Sequence, residues 1–314
     1  MTTSSDPGLA PGTVILGKWK RGSYVIQRML GRGANGTVYL VRDARQGRQY
    51  ALKLGKDALD LQSEINVLTT LQNQGKQAAL QTNGVPSYLY EVDDFILKDR
   101  DVPFYVMKYV KGEPLHLFIA RHGAQWYGVA GLGVLNRLAE LHESGWVFGD
   151  LKPQNIMVAS FAETELIDYG GVTRTGNSVK QFTEWYDRGY WNAGGRSADP
   201  QYDLFSFALL TLHILEGDAL KAAAAKLPQL RSISELTGII ARSRALRPYA
   251  GWLSSALRGE HKNTRRAALA WSQLAGAGAG GQKAAGRKNK PHWLGFAFAA
   301  SLVLLAGAIW MALR

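Results

Sequence analysis

The sequence contains no cysteine and has fewer acidic than basic residues. The absence of cysteine excludes a disulfide scaffold, a thiolate metal site and a cysteine nucleophile. Among 314 residues there are 37 Lys and Arg against 25 Asp and Glu, a formal net charge of +12. A balance this basic favours an acidic partner: nucleic acid, anionic lipid or an acidic protein. Hydrophobic residues make up 46% and charged residues 20%, which excludes wholesale disorder.

The sequence also lacks an N-terminal secretory signal, but it ends in a long apolar run. Residues 1–17 form a polar tail, without a basic stretch that leads into an apolar one. Residues 293–313 are uncharged and largely apolar, and about 20 such residues span a bilayer as a helix. We therefore predict one C-terminal transmembrane helix, with a buried C-terminal helix as the alternative.

Basic residues are concentrated before this run. Between residues 258 and 290, eight basic side chains accompany the single acid Glu260, a net charge of +7. Basic residues that flank a span stay in the cytoplasm, so we expect a single-pass protein of the cell membrane with a cytoplasmic body. The residues expected to bind a polyanion are Arg258, Lys262, Arg265, Arg266, Lys283, Arg287, Lys288 and Lys290.

Two polyanions fit this basic segment equally well from sequence. Anionic lipid attracts each surface Lys or Arg by about 1 kcal/mol, and the phosphates of DNA attract the same charges. From Ala275 to Gly281 the sequence alternates Ala and Gly without a large apolar side chain. This composition predicts that residues 275–292 form a flexible basic linker between the body and the anchor.

A glycine motif with the spacing G-x-G-x-x-G lies between two predicted strands, Tyr24–Leu30 and Val38–Val41. Dinucleotide-binding proteins place this motif between a strand and a helix. Strands on both sides, with a lysine on the next strand, are typical of kinases. The glycines, which let the backbone approach phosphate oxygens, are Gly31, Gly33 and Gly36. Lys53, on the predicted strand Tyr50–Leu54, can reach the same phosphates.

The next predicted element is a helix over residues 60–72, where apolar residues recur at helical spacing. Glu64 lies within it. This residue is either a solvated helix glutamate or the carboxylate that pairs with Lys53 and holds it in place. We favour the pair, although 11 residues are a short connection for it.

Four polar residues in the middle of the chain indicate phosphoryl transfer, a reaction that needs metals, positive charge and an oriented hydroxyl. Asp150 can accept or orient the hydroxyl proton, and Lys152 can neutralise the transferring group. Asn155 and Asp168 offer oxygen ligands suited to Mg²⁺. Any one of them alone would be a turn or cap residue, but all four together with the glycine motif predict a kinase site.

On these motifs the chain resembles the eukaryotic-type (Hanks-type) protein Ser/Thr kinases. Residues 145–153, 186–191 and the C-terminal apolar run look like the membrane-anchored, DNA-binding YabT-type kinases of spore-forming bacteria. The resemblance implies an α+β, bilobal fold with a β-rich N-lobe over residues 18–110 and a helical C-lobe over 111–274. It also implies transfer of phosphate from ATP, with Mg²⁺ or Mn²⁺, to Ser or Thr of protein substrates.

The same resemblance implies roles for further residues. Val38, Ala51 and Met157 would pack against adenine, and the hinge would include Met107 and Tyr109. Glu113 would lie near the ribose. Asp203 would brace the catalytic loop.

The sequence departs from the family pattern before the predicted catalytic aspartate. Phe148-Gly149 stands where the family has His-Arg, so the arginine that usually pairs with an activation-loop phosphate is absent. An Ala-Pro-Glu element is not recognisable between Asp168 and Asp203. Hydroxyls available for phosphorylation, including autophosphorylation between self-associated copies, are Thr173, Thr175, Ser178 and Thr183.

Other functions compete with the protein kinase. One is a small-molecule phosphotransferase of the aminoglycoside-kinase type, although Lys152 stands where those enzymes tend to have histidine. Another is a membrane-anchored pseudokinase or DNA-tethering adaptor that uses its kinase body only to sense nucleotide.

Overall fold

The structure is a computed structural model that describes residues 8–33, 35–79, 89–159, 162–180 and 183–283. The predicted transmembrane helix over 293–313 and the basic residues Arg287, Lys288 and Lys290 lie outside these ranges. Among the residues within them, no helix combines the length and the apolar character that a membrane crossing requires.

The N-terminal lobe is a six-stranded antiparallel sheet with the order β1-β2-β3-β4-β6-β5. Its strands are β1 (Val14–Leu16), β2 (Ser23–Gly33), β3 (Gly36–Asp43), β4 (Gln49–Gly55), β5 (Leu89–Leu97) and β6 (Arg100–Lys108). Alternate residues such as Ile26, Val41 and Leu52 are buried on one face and form the core of this lobe, as the two-residue period of a strand requires. The three strands predicted around the glycine motif are present.

The N-lobe begins earlier than the sequence predicted. Val14–Leu16 was expected to belong to the polar tail, but it pairs with Ser23–Val25 as the edge strand β1. The reason is that Ile15 alternates with two exposed apolar residues and is itself completely buried in the sheet core. Strand β5 was also not predicted.

Helix α1 (Ala58–Ala79) is the only helix described in the N-lobe, and it is longer than the predicted 60–72. Its residues Leu61, Ile65 and Leu68 recur on one face and are buried against Tyr105 of β6. Helix α1 therefore lies against the sheet with Glu64 on its inner side.

The C-terminal lobe is helical. Its helices are α2 (Leu115–His122), α3 (Tyr127–Glu143), α4 (Pro200–Ala224), α5 (Ile233–Arg242), α6 (Ala250–Leu257) and α7 (Thr264–Lys283). The short strands β7 (Glu113–Pro114), β9 (Ile156–Val158) and β10 (Thr164–Leu166) form one small sheet, and β8 (Trp146–Val147) pairs with β11 (Thr173–Arg174). Residues 202–212 of α4 are buried without interruption, so this helix forms the centre of the lobe.

Helix α7 differs from the flexible linker predicted from residue 275. The helix continues to Lys283 through the alternating Ala and Gly residues. Alanine is the strongest helix former, and Leu274 and Ala275 still pack against the core of the lobe. Trp271, one turn earlier, is completely buried and donates a 2.9 Å hydrogen bond to the carbonyl of Gly128.

Candidate active site

The glycine motif forms the hairpin between β2 and β3, as predicted. A Cβ atom at Gly36 would lie 2.2 Å from the carbonyl oxygen of Leu54, so only glycine fits this crossing of β3 and β4. A Cβ atom built on Gly31 or Gly33 would meet no other residue within 4 Å. The backbone of the hairpin can therefore be approached closely by a ligand.

Lys53 lies on β4 and makes two ion pairs in the interior. Its Nζ is 2.7 Å from Oε2 of Glu64 and 3.0 Å from Oδ1 of Asp168. Burial opposes the charge of Lys53, but the two carboxylates outweigh burial and raise the pKa of Lys53 above its ordinary value. The Lys53–Glu64 pair predicted from sequence is present, and Lys53 stays charged beside Asp168.

Glu64 has a second partner that the sequence did not predict. The hydroxyl of Tyr105 on β6 donates a 2.8 Å hydrogen bond to Oε1 of Glu64. Lys53 and Tyr105 are directly opposite each other on β4 and β6, so their side chains share one face of the sheet. A tyrosine within a buried strand is typical of a core residue, so this role could not be predicted from the sequence.

Asp150 lies in the loop between β8 and β9 and is almost completely buried. Lys152 Nζ contacts its Oδ2, and the side-chain nitrogen of Asn155 donates to its main-chain oxygen at 2.9 Å. Because the amide nitrogen of Asn155 is engaged in this way, the amide oxygen is the atom left to bind a cation. Lys152 and Asn155, both predicted for this loop, therefore each contact Asp150.

A residue of the activation segment, the stretch of chain between Asp168 and α4, also reaches Asp150. The hydroxyl of Thr183 donates a 2.8 Å hydrogen bond to Oδ1 of Asp150. The sequence suggested Thr183 only as a phosphorylation site, and 33 residues separate it from Asp150, so local spacing could not reveal this contact.

Asp203 on α4 braces the catalytic loop, as the family resemblance implied. Its carboxylate accepts hydrogen bonds from the backbone nitrogens of Phe148 (2.7 Å) and Gly149 (2.9 Å). It also contacts Nε2 of His142 at 2.9 Å, and Nδ1 of His142 contacts Thr264 at the start of α7. Gly149 has a φ of 81°, a left-handed conformation that favours glycine where the family has arginine.

The segment that carries Asp168 is hydrogen-bonded to the loop that carries Asn155. The nitrogen of Ile167 donates a 2.9 Å hydrogen bond to the carbonyl of Asn155, which fixes the two segments together. Asp168 has a φ of 63°, a strained conformation that is common at functional sites. Its side chain is about half exposed, so the carboxylate faces the cleft between the lobes.

The residues implied for adenine and the hinge lie on or next to strands of both lobes, and one of them lines a cavity with Asp168. Ala51 of β4 is paired with Met107 of β6, and Met107 and Asp168 line one small cavity. Val38 is on β3, Met157 is on β9, and Tyr109 directly follows β6.

Glu113 lies just beyond the hinge and pairs with Arg121 at 3.2 Å. Its other oxygen, Oε2, is buried and has no hydrogen-bond partner among the described residues. A buried carboxylate oxygen without a donor is costly, so this atom is available to a hydroxyl of a ligand.

The four candidate phosphorylation sites differ in exposure. Thr175 and Ser178 are exposed. Thr173 is buried, with its hydroxyl donated to the carbonyl of Gly171 at 2.9 Å, and Thr183 is engaged with Asp150.

A buried carboxylate anchors the activation segment, which lacks an Ala-Pro-Glu element. The carboxylate of Asp187, completely buried, accepts from Arg196 Nε at 2.9 Å and from the Tyr202 hydroxyl at 2.7 Å. Tyr202 is on α4, so this network fastens the segment to the central helix. The sequence reasoning assigned no role to Asp187, because nothing in the local sequence shows that its carboxylate is buried.

Four described residues of the predicted polyanion-binding set, Arg258, Lys262, Arg265 and Arg266, lie around the start of α7. Arg265 forms two hydrogen bonds to Glu143 (3.0 and 2.7 Å), and Arg258 pairs with Glu260. Lys262 and Arg266 are exposed. Lys283 is the last residue of α7.

Known sequences similar to this one agree with the geometry of the site. The protein kinase domain family matches residues 24–248. The serine/threonine-protein kinase YabT of Bacillus subtilis is 38% identical over 264 residues, which cover 83% of this chain and 74% of that protein. The probable serine/threonine-protein kinase PknB of Bifidobacterium longum is 26% identical over 213 residues, which cover 62% of this chain and only 30% of that protein.

Comparison with solved structures shows the same fold. The structure of vaccinia related kinase 3 has a TM-score of 0.62 at 17% identity, over 87% of this chain and 92% of that one. The Mycobacterium tuberculosis PknI kinase domain has a TM-score of 0.52 at 23% identity, over 85% of this chain and 99% of that one.

Proposed function

Since this chain belongs to the protein kinase family and is a serine/threonine protein kinase, we propose that it transfers the γ-phosphoryl group of ATP to Ser or Thr of protein substrates through Asp150. The observation that carries the proposal is the convergence of Lys53, Asp150, Asn155 and Asp168 on one cleft. Lys53 contacts Asp168, Asn155 contacts Asp150, and the backbone of Asn155 is bonded to Ile167, next to Asp168.

The fit of ATP is supported by two features of the cleft. The open space at Gly31 and Gly33 admits phosphates against the backbone, and the unpartnered Oε2 of Glu113 can accept a ribose hydroxyl. Lys53 supplies the positive charge for the phosphates.

The reaction chemistry follows from the side chains around Asp150. Asp150 orients the attacking hydroxyl and accepts its proton. Lys152 neutralises charge on the transferring group. Asn155 and Asp168 would hold Mg²⁺ or Mn²⁺, which supplies charge neutralisation at the phosphates when bound.

A substrate panel tests this function. The full chain in detergent is incubated with ATP, Mg²⁺ and either a generic basic protein, an aminoglycoside or choline. Phosphate on Ser or Thr of the protein supports the proposal. Phosphate only on a small molecule would identify a small-molecule phosphotransferase, and ATP binding without transfer would identify a pseudokinase.

We also propose that residues 293–313 anchor the protein in the cell membrane with the kinase body in the cytoplasm. The uncharged apolar run and the basic residues before it support this. Removal of residues 293–314 should release the protein from the membrane fraction of cells. In intact spheroplasts, external protease should leave the body uncut; cleavage of the body there would contradict this orientation.

We further propose that a polyanion bound near the start of α7 increases the activity and promotes autophosphorylation between copies. DNA and anionic lipid share the phosphate chemistry that these basic side chains recognise. Support comes from the position of Thr264 within this basic cluster, because Thr264 contacts His142 and His142 contacts Asp203. A ligand on α7 thus lies near the brace of the catalytic loop.

The test compares duplex DNA with vesicles of phosphatidylglycerol at low and raised salt. Lys262→Ser with Arg266→Ser should reduce the activation. A matched control, Arg242→Ser with Arg244→Ser, removes two exposed charges elsewhere and should leave the activation intact. Equal loss in both variants, or no activation by either polyanion, would contradict the proposal.

A further inference from the structure

The Lys53–Glu64 pair has a third member in Tyr105. Glu64 is buried, and each of its two oxygens has one donor: Lys53 Nζ at 2.7 Å and the Tyr105 hydroxyl at 2.8 Å. Tyr105 itself is completely buried. A buried carboxylate oxygen that loses its donor is unstable, so the hydroxyl of Tyr105 restricts Glu64 to this orientation.

The ring of Tyr105 contributes to the same restriction. It packs with Leu61, Ile65 and Leu68 of α1 in one buried cluster. The ring of Tyr105 therefore contacts the apolar face of α1, and its hydroxyl contacts Glu64 of the same helix. These two contacts fix both the distance of α1 from the sheet and its rotation.

Helix α1 also contacts the C-lobe, because Val67 is buried in the core of that lobe and Tyr169 of the activation segment packs against the Leu61 cluster. Lys180 of that segment donates to the hydroxyl of Ser63, but this bond is exposed. Gly149 replaces the arginine that would pair with an activation-loop phosphate. The position of α1 thus depends on buried contacts with the sheet and with the C-lobe rather than on a phosphate–arginine pair.

We propose that Tyr105 is a positioning residue, whose hydroxyl holds Glu64 and thereby aligns Lys53 for phosphoryl transfer. The proposal rests on the proposed function of this cleft. Tyr105 acts through Glu64 and does not itself touch the nucleotide. Strand register explains its position, because Tyr105 is paired with Lys53 across β4 and β6.

The test uses Tyr105→Phe, which removes only the hydroxyl, in the full chain. The matched control is Tyr127→Phe, since Tyr127 is equally buried and its hydroxyl also makes one 2.8 Å hydrogen bond, to Thr211 in the C-lobe. We expect kcat/KM for ATP to fall about tenfold in Tyr105→Phe, with a higher KM for ATP and an unchanged KM for protein substrate. Tyr127→Phe should keep the wild-type values.

A loss of folded protein would lower the apparent kcat but leave both KM values unchanged. Two further measurements distinguish this loss from a change in positioning. In a Glu64→Gln background, Tyr105→Phe should have little additional effect on kcat/KM. Amide hydrogen exchange over residues 60–72 should be about tenfold faster in Tyr105→Phe than in Tyr127→Phe.

The outcomes distinguish this inference from the proposed function. A wild-type protein without phosphoryl transfer would refute the function, and the exchange measurement would still decide whether Tyr105 holds α1. Wild-type kinetics in Tyr105→Phe, full additivity with Glu64→Gln, or unchanged exchange over α1 would overturn the inference.

Discussion

The hydroxyl of Thr183 donates a 2.8 Å hydrogen bond to Oδ1 of Asp150. This contact joins the activation segment to the residue that we propose accepts the substrate proton. Lys152 contacts the other carboxylate oxygen, so Asp150 is oriented from both sides. The activation segment thus contributes one of the contacts that orient Asp150.

Removing the Thr183 hydroxyl should lower kcat about tenfold, because a hydrogen bond to a charged group is lost. The variant is Thr183→Val, measured by steady-state kinetics with a protein substrate. Thr183→Ser keeps the hydroxyl and should keep most of the activity. Thr175→Val, at an exposed position of the same segment, is the control and should resemble wild type. Full activity in Thr183→Val would contradict the role of this contact.

Autophosphorylation should occur at the exposed hydroxyls of the activation segment. Thr175 and Ser178 are accessible, whereas Thr173 is buried with its hydroxyl bonded to Gly171. Mass spectrometry after incubation with ATP should find phosphate at Thr175 or Ser178. Phosphate predominantly at Thr173 would show that the activation segment opens enough to expose this buried hydroxyl.

Asp187→Asn should reduce the free energy of unfolding by about 2 kcal/mol, since the completely buried carboxylate of Asp187 accepts hydrogen bonds from the side chains of Arg196 and Tyr202. Urea denaturation measures the change. Asp218→Asn, at an exposed position of α4, removes the same charge and should be nearly neutral. Equal stability of the two variants would mean that Asp187 does not anchor the segment.

Helix α7 should be necessary for the stability of the kinase body. Trp271→Ala removes a completely buried indole and should cost about 3–5 kcal/mol in the free energy of unfolding. Leu269→Ala, on the exposed side of the same helix, should cost far less. A chain that ends at residue 263 should fail to fold, and one that ends at 283 should fold; a stable chain ending at 263 would refute this prediction.

Much of the candidate site was predictable because its chemistry lies in short motifs. The spacing of neighbouring residues was enough to predict the roles of the segment from Asp150 to Asn155, the glycine hairpin and Lys53. The Lys53–Glu64 pair was also predicted, since a strand followed by an amphipathic helix brings the two residues together.

The contacts that could not be predicted join residues far apart in the chain. Thr183 reaches Asp150 across 33 residues, and Tyr105 reaches Glu64 across 41. Neither residue type suggests its role, because threonine is common in loops and tyrosine in buried strands. Strand β1 and the extension of α7 past residue 275 were missed because burial of Ile15 and Ala275 depends on tertiary packing.

The most direct test of the account is transfer of label from radiolabelled ATP to a generic protein substrate. The full chain is compared with Asp150→Asn and Asp168→Asn, and the labelled amino acid is identified. The account predicts phosphoserine or phosphothreonine, with a loss of at least about 100-fold in each variant. Wild-type labelling in either variant, or no labelling by a folded protein that binds ATP, would contradict it.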